Sequence, residues 1–423
     1  MLRHEDNERL VRVGPDQPAG KLFRRYWHPA LLSSELAKKD GTPVKIRILC
    51  EDLVAFRDTN GKVGLVDAYC PHRRAPMFYG RNEECGLRCI YHGWKFDVNG
   101  QCVDQPTEID DRLKENIQIK SYPSYENGGV IWIYMGPKEH MPLPPRYEWM
   151  KAPESHRFVS KVEQQSNYLQ ALEGGLDTAH VSHLHNDRID DPAQLVIRDP
   201  APRIEVYPTE YGYIYTSTRT SGDNQQYIRI YHYLMPFQQM RPNLFNLFGH
   251  GELEEIPTIR GHIWVPIDDE HTTVYNWIYT YDDSIAFTPE YIEKEEAHYG
   301  RGADDYIPGT FKLKRNPSNN HMIDRHAQKM GSATGITGLN TQDCAIQEGM
   351  GPIVDRSKEQ LGNSDKAIIM MRRLMSDAIT TVEKGKNPKG RDPETHAVRP
   401  HELIIDEDKT WQEIINNELE EKW

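Results

Sequence analysis

With 423 residues the chain is long for one hydrophobic core, and two domains are expected. A formal net charge of -13, with no basic stripe to override it, argues against nucleic acid or an anionic membrane as partner. The N-terminus MLRHEDNERLVRVG lacks the apolar core of a signal peptide, no apolar run reaches membrane-spanning length, and six cysteines are too few for a disulfide framework, so a cytoplasmic protein is expected.

Taken in order, residues 21–31 (KLFRRYWHPAL) are dense in aromatic and basic groups and are expected to pack an N-terminal arm onto the first domain. Alternation then begins at Val44, Ile46 and Ile48 and continues through Leu53 and Ala55. The hairpin dipeptide Asn60-Gly61 and a second apolar run over 63–66 follow. A second Asn-Gly at Asn99-Gly100 and the run over 130–134 complete a small all-β unit, which closes near Gly136-Pro137. Proline-rich residues 141–149 read as an extended linker, dividing the chain into 1–145 and 146–423.

Within the first unit, CPHRRAPMFYGRNEECGLRCIYHGW presents Cys70-x-His72 and, after sixteen intervening residues, Cys89-x-x-His92. A structural zinc site more often pairs cysteines on one knuckle and histidines on the other. Here each loop carries one thiol and one imidazole, which suits a Rieske [2Fe-2S] cluster with two cysteines on one iron and two histidines on the other. Cys85 reads as an ordinary loop residue, and Cys50, Cys102 and Cys344 as buried thiols.

The second unit opens with helical composition over 164–185, weakened by Gly174-Gly175. Strand-like runs follow at 203–207, 211–218, 227–234, 262–265 and 273–279, and helices are expected over 289–298 and 365–383. Residues 300–340 read as a long loop and the terminal 404–423 as a solvated acidic helix. The first helix carries Asp177-x-x-His180-x4-His185, with His183 between the histidines. Two histidines and one carboxylate form the triad of non-haem iron(II) oxygenases, with positions left open for oxygen. On a regular helix Asp177, His180 and His183 share a face, whereas His185 lies about 140° around the axis from His180. A His180/His185 pair therefore needs the helix to distort or end between them. The carboxylate ligand is not selected by the residues alone among Asp343, Glu348 and Asp355.

With CPHR, CxYHGW and DxxHxxxxH in this order, the chain resembles the oxygenase components of the Rieske non-haem iron aromatic-ring oxygenases. NYLQALEGGLDTAHVSHLH and TQDCAIQEGMGPIVDRSKEQLGNSD are most similar to the phthalate dioxygenase group. The resemblance implies an α+β fold, an N-terminal all-β Rieske domain joined to a helix-grip domain in which an antiparallel sheet wraps a long helix. It implies a cluster on Cys70, His72, Cys89 and His92, and mononuclear Fe(II) on His180, His185 and Asp343, passing over His183. Asp177 would bridge iron-bound His180 to His92 of a neighbouring subunit, in a homotrimer or a stacked hexamer. Glu173, one turn earlier, is either a supporting carboxylate or a solvated one.

The implied reaction is oxidation of an aromatic carboxylate by O2, through ring hydroxylation or O-demethylation. Electrons would come from NAD(P)H through a separate flavin and iron-sulfur reductase, since no G-x-G-x-x-G nucleotide fingerprint follows a strand. Arg73, Arg74 and Lys95 flank the cluster loops and are candidates for steering an acidic partner. Arg203, Arg229 and Arg241 are candidate clamps for a substrate carboxylate, because a guanidinium fork grips both oxygens. Two alternatives come from other classes: a Rieske electron carrier or redox sensor without oxygenase activity, and a zinc-stabilised interaction protein.

Overall fold

The computed structural model describes residues 2–186, 195–245, 256–415 and 419–421. Ten short strands build the N-terminal unit: β1 (Trp27–Leu32), β2 (Val44–Ile48), β3 (Glu51–Arg57), β4 (Val63–Asp67), β5 (Arg81–Glu83), β6 (Gly86–Arg88), β7 (Lys95–Phe96), β8 (Cys102–Asp104), β9 (Ser124–Asn127) and β10 (Val130–Tyr134). They form three small antiparallel sheets, β1-β10-β9, β2-β3-β4 and β5-β6-β7-β8. Asn60-Gly61 lies between β3 and β4 and Asn99-Gly100 between β7 and β8, each with its glycine at positive φ, a backbone conformation that a side chain would strain. The residues expected to pack onto the first domain as an arm do so, in part as one of its strands. Residues 27–32 are the edge strand β1, and Arg24, which caps the end of the preceding helix (Pro18–Phe23), pairs with Glu51 at 2.8 Å. Phe23 of that helix reaches the other way, against Tyr168 and Phe237.

The C-terminal unit is one eight-stranded antiparallel sheet. Its strands are β11 (Arg157–Gln164), β12 (Arg203–Pro208), β13 (Gly212–Gly222), β14 (Gln225–Leu234), β15 (Gln238–Asn243), β16 (Thr258–Pro266), β17 (Thr272–Tyr279) and β18 (His401–Asp406). They run in the order β11-β17-β16-β15-β14-β13-β12, and β18 pairs with β14 where β15 has diverged from it. The long helix Lys366–Glu383 packs on β12 and β13, and the helices Tyr168–Leu176 and Leu339–Gly349 lie against each other, the first also on β16. Three expectations are corrected here. The helix expected over 164–185 is shorter, Tyr168–Leu176, starting after strand β11 ends at Gln164, and the 300–340 segment contains short helical turns and the helix Arg325–Lys329. The terminal acidic helix is a strand, β18, followed by the short helix Trp411–Ile414, with 416–418 and 422–423 outside the described residues. Among the described residues no helix is long and apolar enough to cross a membrane.

The Gly174-Gly175 pair, a local cost to the helix, is explained by close packing. A Cβ on Gly174 would sit 2.1 Å from Gln347 Nε2, and one on Gly175 2.2 Å from the Trp264 ring. Their absence lets helix Tyr168–Leu176 lie close to both the sheet and helix Leu339–Gly349. Glu173 then anchors it: the carboxylate meets Arg356 at 2.9 Å and Arg372 at 2.6 Å, and Arg356, fully buried, also donates to Asn7 of the N-terminal helix His4–Val11. Burial alone would raise the Glu173 pKa, but the two guanidinium groups override it and hold the carboxyl below its usual range. Its stabilising contribution is therefore present above the ordinary carboxylate pKa and is lost as pH falls through the depressed one. Glu173→Gln is expected to remove about 3–5 kcal/mol by leaving Arg356 buried without its counter-charge, lowering the thermal midpoint at neutral pH. A midpoint equal to that of the unaltered protein would mean that Glu173 is not what neutralises Arg356.

Candidate active site

The two cluster loops share one backbone plan. In each, the cysteine N–H donates to the carbonyl five residues on (Cys70 to Ala75, 2.9 Å; Cys89 to Trp94, 2.8 Å). In each, the N–H four residues on returns to the cysteine carbonyl (Arg74 to Cys70 and Gly93 to Cys89, both 2.9 Å). Arg74 and Gly93, which close the loops, both have positive φ. The repeated turn sets Cys70 and Cys89, each 2% exposed, side by side. The rings of His72 and His92 stand 4.4 Å apart, and His72 stacks on Trp94 at 4.3 Å. Burial and the neighbouring Cys89 sulfur push the Cys70 thiol up to about 11, although the loop backbone at His72 pulls the other way. His72 Nδ1 is buried with no hydrogen-bond partner among the described residues. These two buried thiols and this orphaned imidazole nitrogen, with His92 beside them, are the donor set a Rieske cluster requires.

Outside the loops, Arg73 and Arg74 are exposed and lie over the rings of Tyr91 and Tyr69. Lys95 differs from the expectation: it is buried and paired with Glu84 at 3.0 Å, so it cannot steer a partner. Cys85 accepts a hydrogen bond from Asn60, and Cys102 and Cys344 are buried, while Cys50 is only half-buried.

The second centre forms where helix Tyr168–Leu176 stops. The helix ends before Asp177, earlier than the His180/His185 spacing required, and the Asp177 carboxylate caps the turn His180–Ser182 by accepting the N–H of Ala179 (2.7 Å) and of His180 (3.3 Å). The turn brings His180 Nε2 to 3.2 Å from His185 Nε2 and leaves His183 exposed. Helix Leu339–Gly349 adds Asp343, whose Oδ1 lies 3.5 Å from His180 Nε2 and 3.3 Å from His185 Nε2. Donors at right angles around an ion with bonds of about 2.1 Å stand about 3.0 Å apart, so these three atoms can hold one metal on a single face. Glu348, the rival carboxylate, is committed to His321 at 2.8 Å, and Asp355 to Ser357 and Lys358.

Both imidazoles are oriented from behind. The other oxygen of Asp177 lies 3.5 Å from His180 Nδ1; burial disfavours charge on both groups, but their pairing holds the Asp177 pKa below and the His180 pKa above the ordinary value. For His185 the matching group is Gln342, unmarked in the sequence except as the middle residue of TQD. Its Nε2 donates to the Ile336 carbonyl (2.9 Å), which turns Oε1 to accept from His185 Nδ1 (2.8 Å). Each ring thereby offers Nε2 inward as a lone pair.

Beside the triad is a cavity of about 1040 Å³, mouth included, between the helix pair and the sheet. Trp264 gives it a flat apolar wall, and Arg229, Arg241 and Arg260 enter from β14, β15 and β16. Arg203 does not line it; at an exposed position on the edge strand β12 its guanidinium donates to Gln226. Arg229 lies 3.4 Å from Glu402 of β18, and Arg260, which the sequence reading missed, pairs with Glu295 of the helix Pro289–His298. Arg241 is directly across from Arg260, over the Tyr299 ring at 6.0 Å, and has no carboxylate partner among the described residues.

The Rieske [2Fe-2S] domain family matches residues 26–123 and the family described as LigXa C-terminal domain like matches 133–422. The phthalate 4,5-dioxygenase oxygenase subunit of Pseudomonas putida is 37% identical to this chain, covering 98% of it and 94% of the relative. The 5,5'-dehydrodivanillate O-demethylase oxygenase subunit of a Sphingobium species is 32% identical over 98% of this chain and 90% of its own length. In fold, the chain is similar to the crystal structure of dicamba monooxygenase bound to dicamba, at a TM-score of 0.60 and 17% identity over 86% of this chain and 99% of that one. With a Rieske domain and a catalytic domain matched end to end, this chain belongs to the Rieske non-haem iron oxygenases, as an oxygenase component carrying a [2Fe-2S] cluster and a mononuclear iron.

Proposed function

We propose that the chain oxidises an aromatic carboxylate with O2, by ring hydroxylation or by O-demethylation, using electrons delivered by a separate NAD(P)H reductase. The observation that carries the substrate class is Arg241, a cavity-lining guanidinium with no carboxylate partner among the described residues, where Arg229 and Arg260 each have one. Two relatives, named as acting on phthalate and on dehydrodivanillate, support the same class. In this reading residues 1–145 hold the cluster through Cys70, His72, Cys89 and His92, and residues 146–423 hold iron through His180, His185 and Asp343. When bound, the two centres supply electrons and oxygen activation.

The chain's own residues position the reactants. Arg241 takes the substrate carboxylate in a two-pronged grip, and Trp264 offers a face to the aromatic ring. Gln342 and Asp177 keep the two imidazoles in one tautomer and one orientation. Asp177 is also the proposed link to His92 of a neighbouring subunit in a trimer, single or stacked in pairs. The half-buried His92 beside exposed Ile90 and Tyr91 suits such a contact.

Arg241→Met keeps the apolar stem and removes the fork. It is expected to weaken binding of benzoate- and phthalate-type acids by about 10-fold or more, read as a dissociation constant on the anaerobic holoenzyme. Equal affinity in the variant would remove the carboxylate clamp. Formaldehyde among the products distinguishes demethylation from hydroxylation.

A further inference from the structure

Two hydrogen-bond acceptors next to Arg241 have no partner among the described residues. On β16 the buried imidazole of His262 faces the same cavity, and its Nδ1 lies 2.8 Å from Asn276 Oδ1 on β17. Asn276 Nδ2 is used on the Val274 carbonyl, which fixes the amide so that its oxygen meets the ring. Nδ1 therefore carries the proton. Burial, with Arg241 and Arg301 nearby, keeps the ring neutral by lowering its pKa well below the ordinary value. Nε2 is then a bare lone pair, with no partner among the described residues.

Directly opposite on β15 is Gln239, 1% exposed and also lining the cavity. Its Nε2 donates to the Tyr215 hydroxyl at 3.0 Å, and its Oε1 is buried with no partner among the described residues. Gln239 and Arg241 are two residues apart on one strand, so their side chains share a face, and Arg241 and His262 are diagonal neighbours across the β15-β16 pair. Diagonal positions are about 7–8 Å apart, comparable with the span of a disubstituted benzene ring.

We propose that this cavity selects an aromatic carboxylate that also carries a hydrogen-bond donor, a phenolic hydroxyl or a ring N–H, which His262 Nε2 and Gln239 Oε1 accept while Arg241 holds the carboxylate. The inference rests on the aromatic-carboxylate reading above and narrows it. A site built to accept a hydrogen bond rejects the analogue that cannot donate one, because its own buried acceptor is then left unmet.

The test is calorimetric binding to the anaerobic, iron-loaded enzyme of benzoate, 3- and 4-hydroxybenzoate, and the methyl ethers of both hydroxy acids. At least one hydroxy acid is expected to bind about 10-fold or more tightly than its own methyl ether. That ratio should fall to within about twofold in His262→Leu and recover in part in His262→Gln, which keeps an acceptor. Metal content and a thermal melt check that each variant is intact. If the acids bind the unaltered enzyme with no preference for the hydroxyl, or the preference survives in His262→Leu, the acceptor pair does not read the substrate. If none of the acids binds at all, the aromatic-carboxylate reading falls first and takes this one with it.

Discussion

Asp177→Asn is expected to keep its iron and its cluster and to lose about 100-fold in substrate oxidation. The substitution is nearly isosteric, and its remaining oxygen can still accept the N–H groups of Ala179 and His180, so the turn that presents His180 should survive. The carboxylate oxygen facing His180 Nδ1 at 3.5 Å becomes an NH2, however, and a donor then faces a donor. His180 loses the partner that sets its tautomer, and the proposed path to the neighbouring cluster loses its acceptor. Iron and sulfide content, together with single-turnover reoxidation of the reduced cluster, measures the two effects separately. Full turnover by the variant would remove Asp177 from the electron path.

The second large effect is on metal content. His180→Ala, His185→Ala and Asp343→Ala should each leave only the cluster's two irons after reconstitution, with acid-labile sulfide unchanged. His183→Ala should keep the mononuclear iron, because His183 is exposed while the other three groups converge to 3.2–3.5 Å. Loss of iron in His183→Ala combined with its retention in His185→Ala would mean the wrong pair has been chosen.

The cluster loops were legible because all four candidate ligands lie within one stretch of 23 residues, where spacing nearly dictates geometry. The histidine pair was half legible. Spacing required a break in the helix, and the structure ends the helix sooner, at Leu176, because the Asp177 side chain takes over backbone N–H groups that a continuing helix would have bonded. Asp343 was out of reach of local reasoning. It arrives from a separate helix, and its rival Glu348 is instead paired with His321, away from the converging triad. Gly174-Gly175 was misleading on its own, since the flaw in helix propensity is the feature that allows tight packing on Gln347 and Trp264.

The arginines divide along the same line. Position in or beside expected strands made Arg203, Arg229 and Arg241 all candidate clamps, and nothing in the sequence ranked them. Arg203 is on an edge strand in solvent, Glu402 from β18 pairs with Arg229, and Glu295 from a helix pairs with Arg260. Sequence alone determined which chemistry the chain can perform, because metal-ligand identity and spacing are local, covalent properties. Only the tertiary structure decided which cation and which acceptors remain open to a substrate, because pairing between distant strands and helices consumes the rest.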